Sequence, residues 1–434
     1  MYATAILLAA GFGTRMKSAH PKAMHPIAGR PMLAHLIDSC AGVFDRVVVV
    51  VGPGMDALAA LAAPHAVVVQ TERLGTAHAA LQAVGHFGDG DVAVLYADNP
   101  LIRPDILRTL LAARANAGLA LLAMRPADPG RYGRVIMDGP DVTSIVEWAD
   151  ATEAERAIPL CNAGVLCADA RAFEGWLRRV RPSQKGEFYL TDCVALARAD
   201  GVRVTAVEAP AEQLRGVNSR AELADAEATV QGWLREAAMA GGTTLTLPGS
   251  VVFCADTRLA PDTIVGPHVV FGPGVQVETG AEIRAFSHLE GCTVGPGAII
   301  GPYARLRPGT TVGAGAHVGN FVELKATDLG AGAKANHLSY LGDSAVGPGT
   351  NIGAGTITCN YDGYAKHRTT IGAGVFVGTS AVLVAPVTLG DGAFVAAGSV
   401  ITRDVAADAM AFGRAVQTDK PGRAALYRAA RRKV

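Results

Sequence analysis

The 434-residue sequence has no net charge: 39 Lys and Arg offset 39 Asp and Glu, and charged residues make up only 18% of it. A chain with no surplus of either sign has no global electrostatic reason to bind nucleic acid or an anionic membrane. No uncharged apolar run reaches the roughly eighteen residues that span a bilayer. The apolar run Ala3 to Ala10 lacks a basic segment before it and meets a glycine loop with Arg15 and Lys17, so it reads as a buried strand and not a signal peptide. The seven cysteines, at 40, 161, 167, 193, 254, 292 and 359, show no CxxC spacing and no accompanying His cluster. That argues against a zinc site or a disulfide framework and fits a reducing, cytoplasmic compartment. Two nucleotide fingerprints are also missing. Met16 stands where a dinucleotide motif needs its third glycine, Gly52-Pro53 follows the second strand where a ribose-binding acid would be, and there is no GxxxxGK[ST] loop.

What the sequence does have is a period of six. Leu259, Val265, Phe271, Val277, Ile283 and Leu289 are six apart; after a step of five, the series resumes at Val294, Ile300, Leu306, Val312, Val318 and Leu324. A second clean run goes Ile371, Val377, Leu383, Leu389, Val395, Ile401. Glycine commonly follows the anchor, which accounts for much of the total of 51. Six fits neither strand alternation nor a helical face. It fits a triangular coil in which each hexad forms one short strand and one corner, with the anchor inward and small residues turning. Three hexads make a coil, coils stack at roughly the 4.8 Å strand spacing, and about seven or eight coils fit this stretch. The pattern resembles the left-handed parallel β-helix of hexapeptide-repeat acyltransferases.

The first half alternates differently. Residues 4–10, 46–51, 66–70, 92–97 and 119–124 read as buried strands with helical stretches between them, a doubly wound, Rossmann-like α/β layer. In such a layer the site lies at the carboxyl ends of the strands. Those ends hold Gly11-Phe12-Gly13-Thr14-Arg15-Met16, Gln70 to Thr76 and Tyr96-Ala97-Asp98. A GxG turn alone is as readily structural as phosphate-binding. GxGTRM followed by Pro21-Lys22 adds a guanidinium and an ammonium, as a triphosphate requires, and amides opening the next helix can assist. Asp98 directly after a strand either caps its loop or binds a divalent metal; beside a phosphate loop the metal reading is favoured.

From Asn218 to Gly241 a helix is expected. It has a Ser219-x-x-Glu222 capping box, one face of Leu223, Ala226, Val230, Trp233, Leu234 and Ala237, and a Gly241-Gly242 stop. The resulting division is a nucleotidyltransferase domain at 1–218, a helical linker at 219–245, the β-helix at 246–403 and a tail at 404–434. That tail ends in the basic run Tyr427 to Val434, either a solvated end or a segment that wraps over a neighbouring site. Within the β-helix the informative positions are departures from the period. They are Arg305 to Gly309, Phe321 to Lys325, Asn336 to Asp343, and a loop from Cys359 to Thr370 containing Asn360-Tyr361-Asp362-Gly363 and Lys366-His367-Arg368. A lone His on such a scaffold is more often structural. His337 sits among cations, an aromatic and a loop, and imidazole can take a proton near neutral pH.

Several strings then carry a specific resemblance: LAAGFGTRM at 8–16, Pro21-Lys22, Leu74-Gly75-Thr76, YADNP at 96–100, Tyr132-Gly133-Arg134, Ile145-Val146-Glu147, Asn162-Ala163-Gly164, GEFYLTD at 186–192 and Gly216-Val217-Asn218. With the β-helix strings, nearly the whole chain resembles the bacterial bifunctional N-acetylglucosamine-1-phosphate uridyltransferase/glucosamine-1-phosphate acetyltransferase family, which makes UDP-N-acetylglucosamine for the cell wall. The resemblance implies that Leu8, Ala9, Ala10, Gly11, Gln70, Gly75 and Thr76 hold the uridine of UTP. Arg15 and Lys22 neutralise the triphosphate and act catalytically, and Asp98 and Asn218 bind Mg2+. Tyr96, Gly133, Glu147, Asn162, Tyr189 and Thr191 line the pocket for N-acetylglucosamine 1-phosphate. In the β-helix, His337 is the implied general base, with Glu323 near it. Arg307, Lys325, Tyr340, Asn351 and Lys366 hold glucosamine 1-phosphate. Asn360 and Tyr361 sit by the developing oxyanion, and Ala354, Thr379, Ala397 and Arg414 contact acetyl-CoA. A homotrimer with this site shared between subunits is implied. Three positions depart from the family: Ala97 for glycine, Phe12 for a polar or basic residue, and Thr379 for serine. The rival readings are a single-function pyrophosphorylase with a structural β-helix and a non-enzymatic scaffold of similar domain order.

Overall fold

The computed structural model describes residues 2–183 and 186–431, and the chain divides into two compact units, 1–233 and 234–434. The first is built on a nine-stranded sheet. Its strands are β1 (Ala3–Leu8), β2 (Arg46–Val51), β3 (Ala66–Val69), β4 (Asp91–Tyr96), β5 (Leu119–Met124), β6 (Arg134–Asp138), β7 (Asp141–Val146), β8 (Cys161–Asp169) and β9 (Val204–Glu208). The spatial order is β9-β5-β8-β4-β1-β2-β3, with the β6–β7 hairpin attached to β8. The apolar runs are continuous because both sheet faces are covered. Ala5, Leu7, Val47, Val49 and Val51 enter one core, while Ile6, Val48 and Val50 enter the other. The sheet is mixed, however. β8 runs antiparallel to both β4 and β5 and separates them, whereas β1 is parallel to β2 and β4.

This topology brings the loops after β1, β3 and β4 to one edge. The loop after β1 leads only into a three-residue 3-10 turn, Thr14–Met16. The helix N-terminus expected after the glycine loop is therefore absent. Downstream, helix α1 (Thr76–Gln82) follows Gly75, and helix α2 (Asp192–Ala199) follows Thr191.

Helix α3 (Arg220–Ala240) starts as its sequence indicates. Ser219 Oγ accepts the Glu222 N–H at 3.2 Å, although the Glu222 carboxylate reaches back to the Asn218 N–H (2.5 Å) and not to Ser219. The apolar stripe drifts along the helix. Ala226, Val230 and Gln231 are buried, Ala237 is exposed, and Leu234 and Ala238 pack on the core of the second unit. The division between the units thus falls inside this helix.

The second unit is the left-handed parallel β-helix. Three parallel sheets, of ten, eight and eight short strands, form its walls. Ile264 pairs with Glu282 and Thr311 with Asp328, coil steps of 18 and 17. Ser344 pairs with Thr369, a step of 25, because the loop after Cys359 adds seven residues to one coil. Along one wall Val265, Ile283, Ile300, Val318, Ala335, Ile352, Val377 and Val395 stack inward, each no more than 3% exposed. Burying each larger aliphatic side chain contributes about 1.5–3 kcal/mol. One exposed corner carries His268, Phe286, Tyr303 and Phe321 in a continuous stack, with ring centroids 4.9, 4.9 and 5.3 Å apart. Helix α4 (Arg423–Ala429) near the C-terminus has no buried residue, and the last three residues of the basic tail lie outside the described ones. Among the described residues no helix is long and apolar enough to cross a membrane.

Candidate functional site

In the first unit a cleft of about 370 Å³ opens at the strand ends. Leu8, Ala9, Ala10, Gly11, Lys22, Gln70, Gly75, Thr76, Tyr96 and Asp98 all line it. Gly75 must be glycine: its φ is +108° and a Cβ would lie 2.5 Å from the Phe188 carbonyl oxygen. Gln70 is buried, and its amide donates to Gly75 O at 3.1 Å, which fixes its orientation at the cleft. Gly11 faces open space, with no heavy atom within 4 Å of where a Cβ would stand, so its backbone can be approached closely.

Beside the cleft four polar side chains converge, of which Lys22 and Asp98 line it. Lys22 Nζ makes an ion pair with Asp98 Oδ2 and donates to Asn218 Oδ1 at 2.9 Å. Arg15 donates to the same Asn218 oxygen at 2.9 Å. Val217 N–H bonds to Asp98 O (2.8 Å), which places Asn218 beside the carboxylate. Asp98 Oδ1 is buried without a hydrogen-bond partner. An orphaned carboxylate oxygen costs free energy unless something fills the position. Oxygen donors from an Asp and an Asn suit a hard divalent cation that keeps water and phosphate ligands. Among the described residues no group of three or more His, Cys, Asp or Glu could form an all-protein cage. Arg15 and Asn218 line a neighbouring cavity of about 630 Å³ with Tyr132, Arg131 and Arg215.

A further set surrounds Glu147. Thr191 Oγ1 donates to its carboxylate at 3.0 Å, and the Cβ position at Gly133 lies 3.5 Å from it. Asn162 N–H bonds to Gly133 O (2.9 Å), and Asn162 Oδ1 accepts the Gly164 N–H (3.0 Å). The Tyr96 ring packs on Gly164, where a Cβ would approach it to 2.5 Å. Tyr189 stands in the loop ahead of Thr191. Burial pushes the Glu147 carboxyl above the usual carboxylate range, partly offset by the Thr191 bond, and burial likewise raises the Tyr96 phenol.

Two departures acquire a physical context. Ala97 borders the cleft, yet its side chain is 2% exposed and belongs to the core on one sheet face. Phe12 lies under the Arg73 guanidinium, 3.9 Å from its ring centroid, and Arg73 Nε donates to Ala10 O at 3.1 Å. A cation therefore does stand at the glycine loop, supplied by another segment. Nothing in the sequence singles out Arg73; only its place in the QTERLGT loop hints at it.

In the β-helix a single corner column gathers one set. Leu338 N–H bonds to Asn320 O, Gly355 N–H to His337 O, Ser380 N–H to Ala354 O and Gly398 N–H to Thr379 O, at 3.1, 3.3, 2.7 and 2.8 Å. Asn320, His337, Ala354 and Thr379 thus follow one another coil by coil, and Ala397 and Arg414 continue the line, the Arg414 Cδ passing 3.8 Å from a Gly398 Cβ position. Beside this line the positive-φ corner residues change from Phe321 and Leu338 to Gly355, Ser380 and Gly398. The bulky ladder stops at His337 and a small-residue strip continues past it.

A second set lies on another wall. Tyr340 OH and Asn360 Nδ2 come within 2.5 and 2.7 Å of a Cβ position at Gly342. Asn360 donates to Asp343, and Lys325 Nζ lies 3.9 Å from that carboxylate. Lys325 beside it holds the Lys366 ammonium below the usual lysine range. Two ammoniums thus share one carboxylate, leaving positive charge for an anion. Arg307 pairs with Glu323 at 2.9 Å. The hydrogen-bond partner of His337 is Asn320, at 2.8 Å. Tyr361 OH donates to Gly363 O at 2.6 Å within its own loop. Asn351 lies on the His337 sheet, one coil beyond Lys334. No hydrogen bond or ion pair among the described residues joins His337 to the Lys325–Lys366 cluster.

Comparison with known proteins agrees with this two-part layout. Residues 5–175 match the family model of the MobA-like NTP transferase domain. Residues 291–326 and 368–403 match the bacterial transferase hexapeptide (six repeats). The chain is 69% identical to the bifunctional protein GlmU of Gluconacetobacter diazotrophicus, over 99% of this chain and 95% of that protein. The GlmU proteins of Granulibacter bethesdensis and Acidiphilium cryptum are 62% and 61% identical, covering 98% and 99% of this chain and 96% and 99% of their own lengths. An NTP-transferase fold with its cation–carboxylate cluster, a hexapeptide β-helix with its own polar corner, and this identity along both lengths lead to one conclusion: the chain belongs to the GlmU family of bifunctional transferases.

Proposed function

We propose that the β-helix acetylates glucosamine 1-phosphate from acetyl-CoA and that the N-terminal unit then transfers UMP from UTP to the N-acetylated sugar phosphate, giving UDP-N-acetylglucosamine and pyrophosphate. The observation that carries the bifunctional reading over a single-function pyrophosphorylase is the corner column. A structural scaffold has no need of an exposed His at the point where a bulky ladder gives way to small residues, with an arginine further along. A non-enzymatic scaffold is disfavoured by the convergence of Lys22, Arg15, Asp98 and Asn218.

In the first unit, uridine would sit between Gln70, Gly75 and Thr76, with the phosphates over Gly11 toward Arg15 and Lys22. Magnesium held by Asp98 and Asn218 would neutralise charge on the phosphate oxygens. The sugar phosphate, positioned by Glu147, Asn162 and Thr191, attacks the α-phosphorus in line and pyrophosphate departs. Positioning and charge neutralisation carry the step, and no protein nucleophile is required. In the second unit, Lys325, Lys366, Arg307 and Tyr340 would receive the phosphate of glucosamine 1-phosphate, and acetyl-CoA would lie along Ala354, Thr379 and Ala397 toward Arg414. His337 takes a proton from the attacking amine, the tetrahedral oxyanion collapses, and the CoA thiolate leaves and is protonated. Asn360 donates one amide hydrogen to Asp343 and keeps the other for the oxyanion, whereas Tyr361 must release Gly363 O before its single hydroxyl hydrogen can serve there. Hexapeptide repeats are consistent with oligomerisation, and we extend this to a homotrimer whose copies share the site. We further assign the chain to the cytoplasm and to supply of cell-wall precursor. The test has two arms: acetyl-CoA-dependent loss of the free amine of glucosamine 1-phosphate, abolished in His337→Ala, and Mg2+-dependent pyrophosphate release from UTP and N-acetylglucosamine 1-phosphate. Failure of either arm with pure protein overturns that half.

A further inference from the structure

We infer that Asn320 is the positioning residue for His337: it fixes the imidazole tautomer and orientation that leave Nε2 free to accept a proton. This rests on the reading of His337 as the base of acetyl transfer. His337 Nδ1 and Asn320 Oδ1 are 2.8 Å apart. A carbonyl-type oxygen accepts, so Nδ1 carries the hydrogen and Nε2 keeps its lone pair. The contact is built into the coil. Asn320 and His337 are direct partners in the parallel register, at the ends of strands His317–Asn320 and Lys334–His337. The coils meet closely because residue 319 is glycine: a Cβ there would lie 2.0 Å from Asn336 O. Leu338 N–H to Asn320 O (3.1 Å) holds the backbone on the other side of the pair. Glu323, the carboxylate expected near His337, is engaged by Arg307 at 2.9 Å, and Asp343, nearer in sequence, is engaged by Asn360 and Lys325. The other titratable group on the adjacent strand is His317. Burial first, then the cations Arg284 and Lys334, lower its pKa, so it brings no positive charge to His337 near neutral pH. The following coil on this wall presents Asn351–Ile352, which carries no titratable side chain.

The test compares Asn320→Leu, Asn320→Asp and His337→Ala in the full chain. Thiol release from acetyl-CoA with glucosamine 1-phosphate is followed across pH, and chemical denaturation followed by a probe in the second unit serves as the folding control, since that unit closes its own core. Asn320→Leu should lower kcat for acetyl transfer by about 10- to 100-fold, the range typical of lost orienting partners, with KM for both substrates nearly unchanged. Asn320→Asp keeps the acceptor and adds a negative charge that favours imidazolium. Its activity should recover on the alkaline side, with the acid limb of the pH–rate profile displaced to higher pH. If Asn320→Leu retains the parent kcat, or Asn320→Asp is as impaired as Asn320→Leu at every pH, the assignment is overturned while the base stands. If His337→Ala itself retains acetyl transfer, the base assignment fails and this inference falls with it.

Discussion

At the scale of single residues, the two glycines of the first loop separate conformation from function. Gly13 has φ +66° and a Cβ would lie 2.7 Å from Lys22 Cβ, whereas Gly11 faces open space. Gly13→Ala should therefore lower the melting temperature and misplace Lys22. Gly11→Ala should leave melting unchanged and raise KM for UTP, because its methyl fills space a phosphate needs. Thermal melts paired with pyrophosphate-release kinetics distinguish them. Asp98→Asn removes the charge that Lys22 pairs with and that a divalent cation would need. It should cut uridylyl transfer by at least about 100-fold, the scale of losing one preorganised electrostatic contact, without touching acetyl transfer. Lys366 offers a pH test. Lys325 beside it lowers its affinity for protons, so Lys366 loses its charge at lower pH than an ordinary lysine. KM for glucosamine 1-phosphate should rise early on the alkaline side. In Lys325→Met that rise should move to higher pH, although the affinity at neutral pH is weaker. An unmoved alkaline limb contradicts the pairing.

At the scale of elements, the β-helix was readable because every coil repeats one demand: an aliphatic side chain inward, a small residue at the turn. The step of five between Leu289 and Val294 appears in the structure as the 17-residue register of Gln276 with Thr293, and the loop after Cys359 as the 25-residue step. Strands β1 to β5 were also legible as apolar runs, with both faces covered in all but the edge strand β3, whose residues are only partly buried. The direction of β8 was not. Its composition resembles that of its parallel neighbours, and strand polarity is set by the connections on either side. Single contacts across coils were equally hidden. Asn320 lies one coil before His337, but only the register makes them partners, and on the next wall Glu323 is held by Arg307, two residues past its register partner Arg305. Arg73 meets Phe12 because the loops after β1 and β3 leave the same sheet edge. The coil geometry predicts that Gly319→Ala, which forces a methyl against Asn336 O, destabilises the β-helix by about 1–3 kcal/mol or more. Chemical denaturation of the full chain, resolved by a probe in the second unit, checks this; a midpoint equal to that of the parent protein contradicts it.

At the scale of the molecule, two compact units each carry their own converging polar set, and each core is closed by its own residues. The activities should therefore be lost one at a time. The central claim is most directly tested by supplying glucosamine 1-phosphate, acetyl-CoA, UTP and Mg2+ to the pure full-length chain and measuring UDP-N-acetylglucosamine. The parent should form it with equimolar pyrophosphate and free CoA. His337→Ala should form none from glucosamine 1-phosphate yet act at the parent rate on N-acetylglucosamine 1-phosphate. Asp98→Asn should stop after acetylation and accumulate N-acetylglucosamine 1-phosphate, and an equal mixture of the two variants should restore the full conversion. Product formed by His337→Ala from glucosamine 1-phosphate, or a parent chain that never consumes acetyl-CoA, would contradict the account.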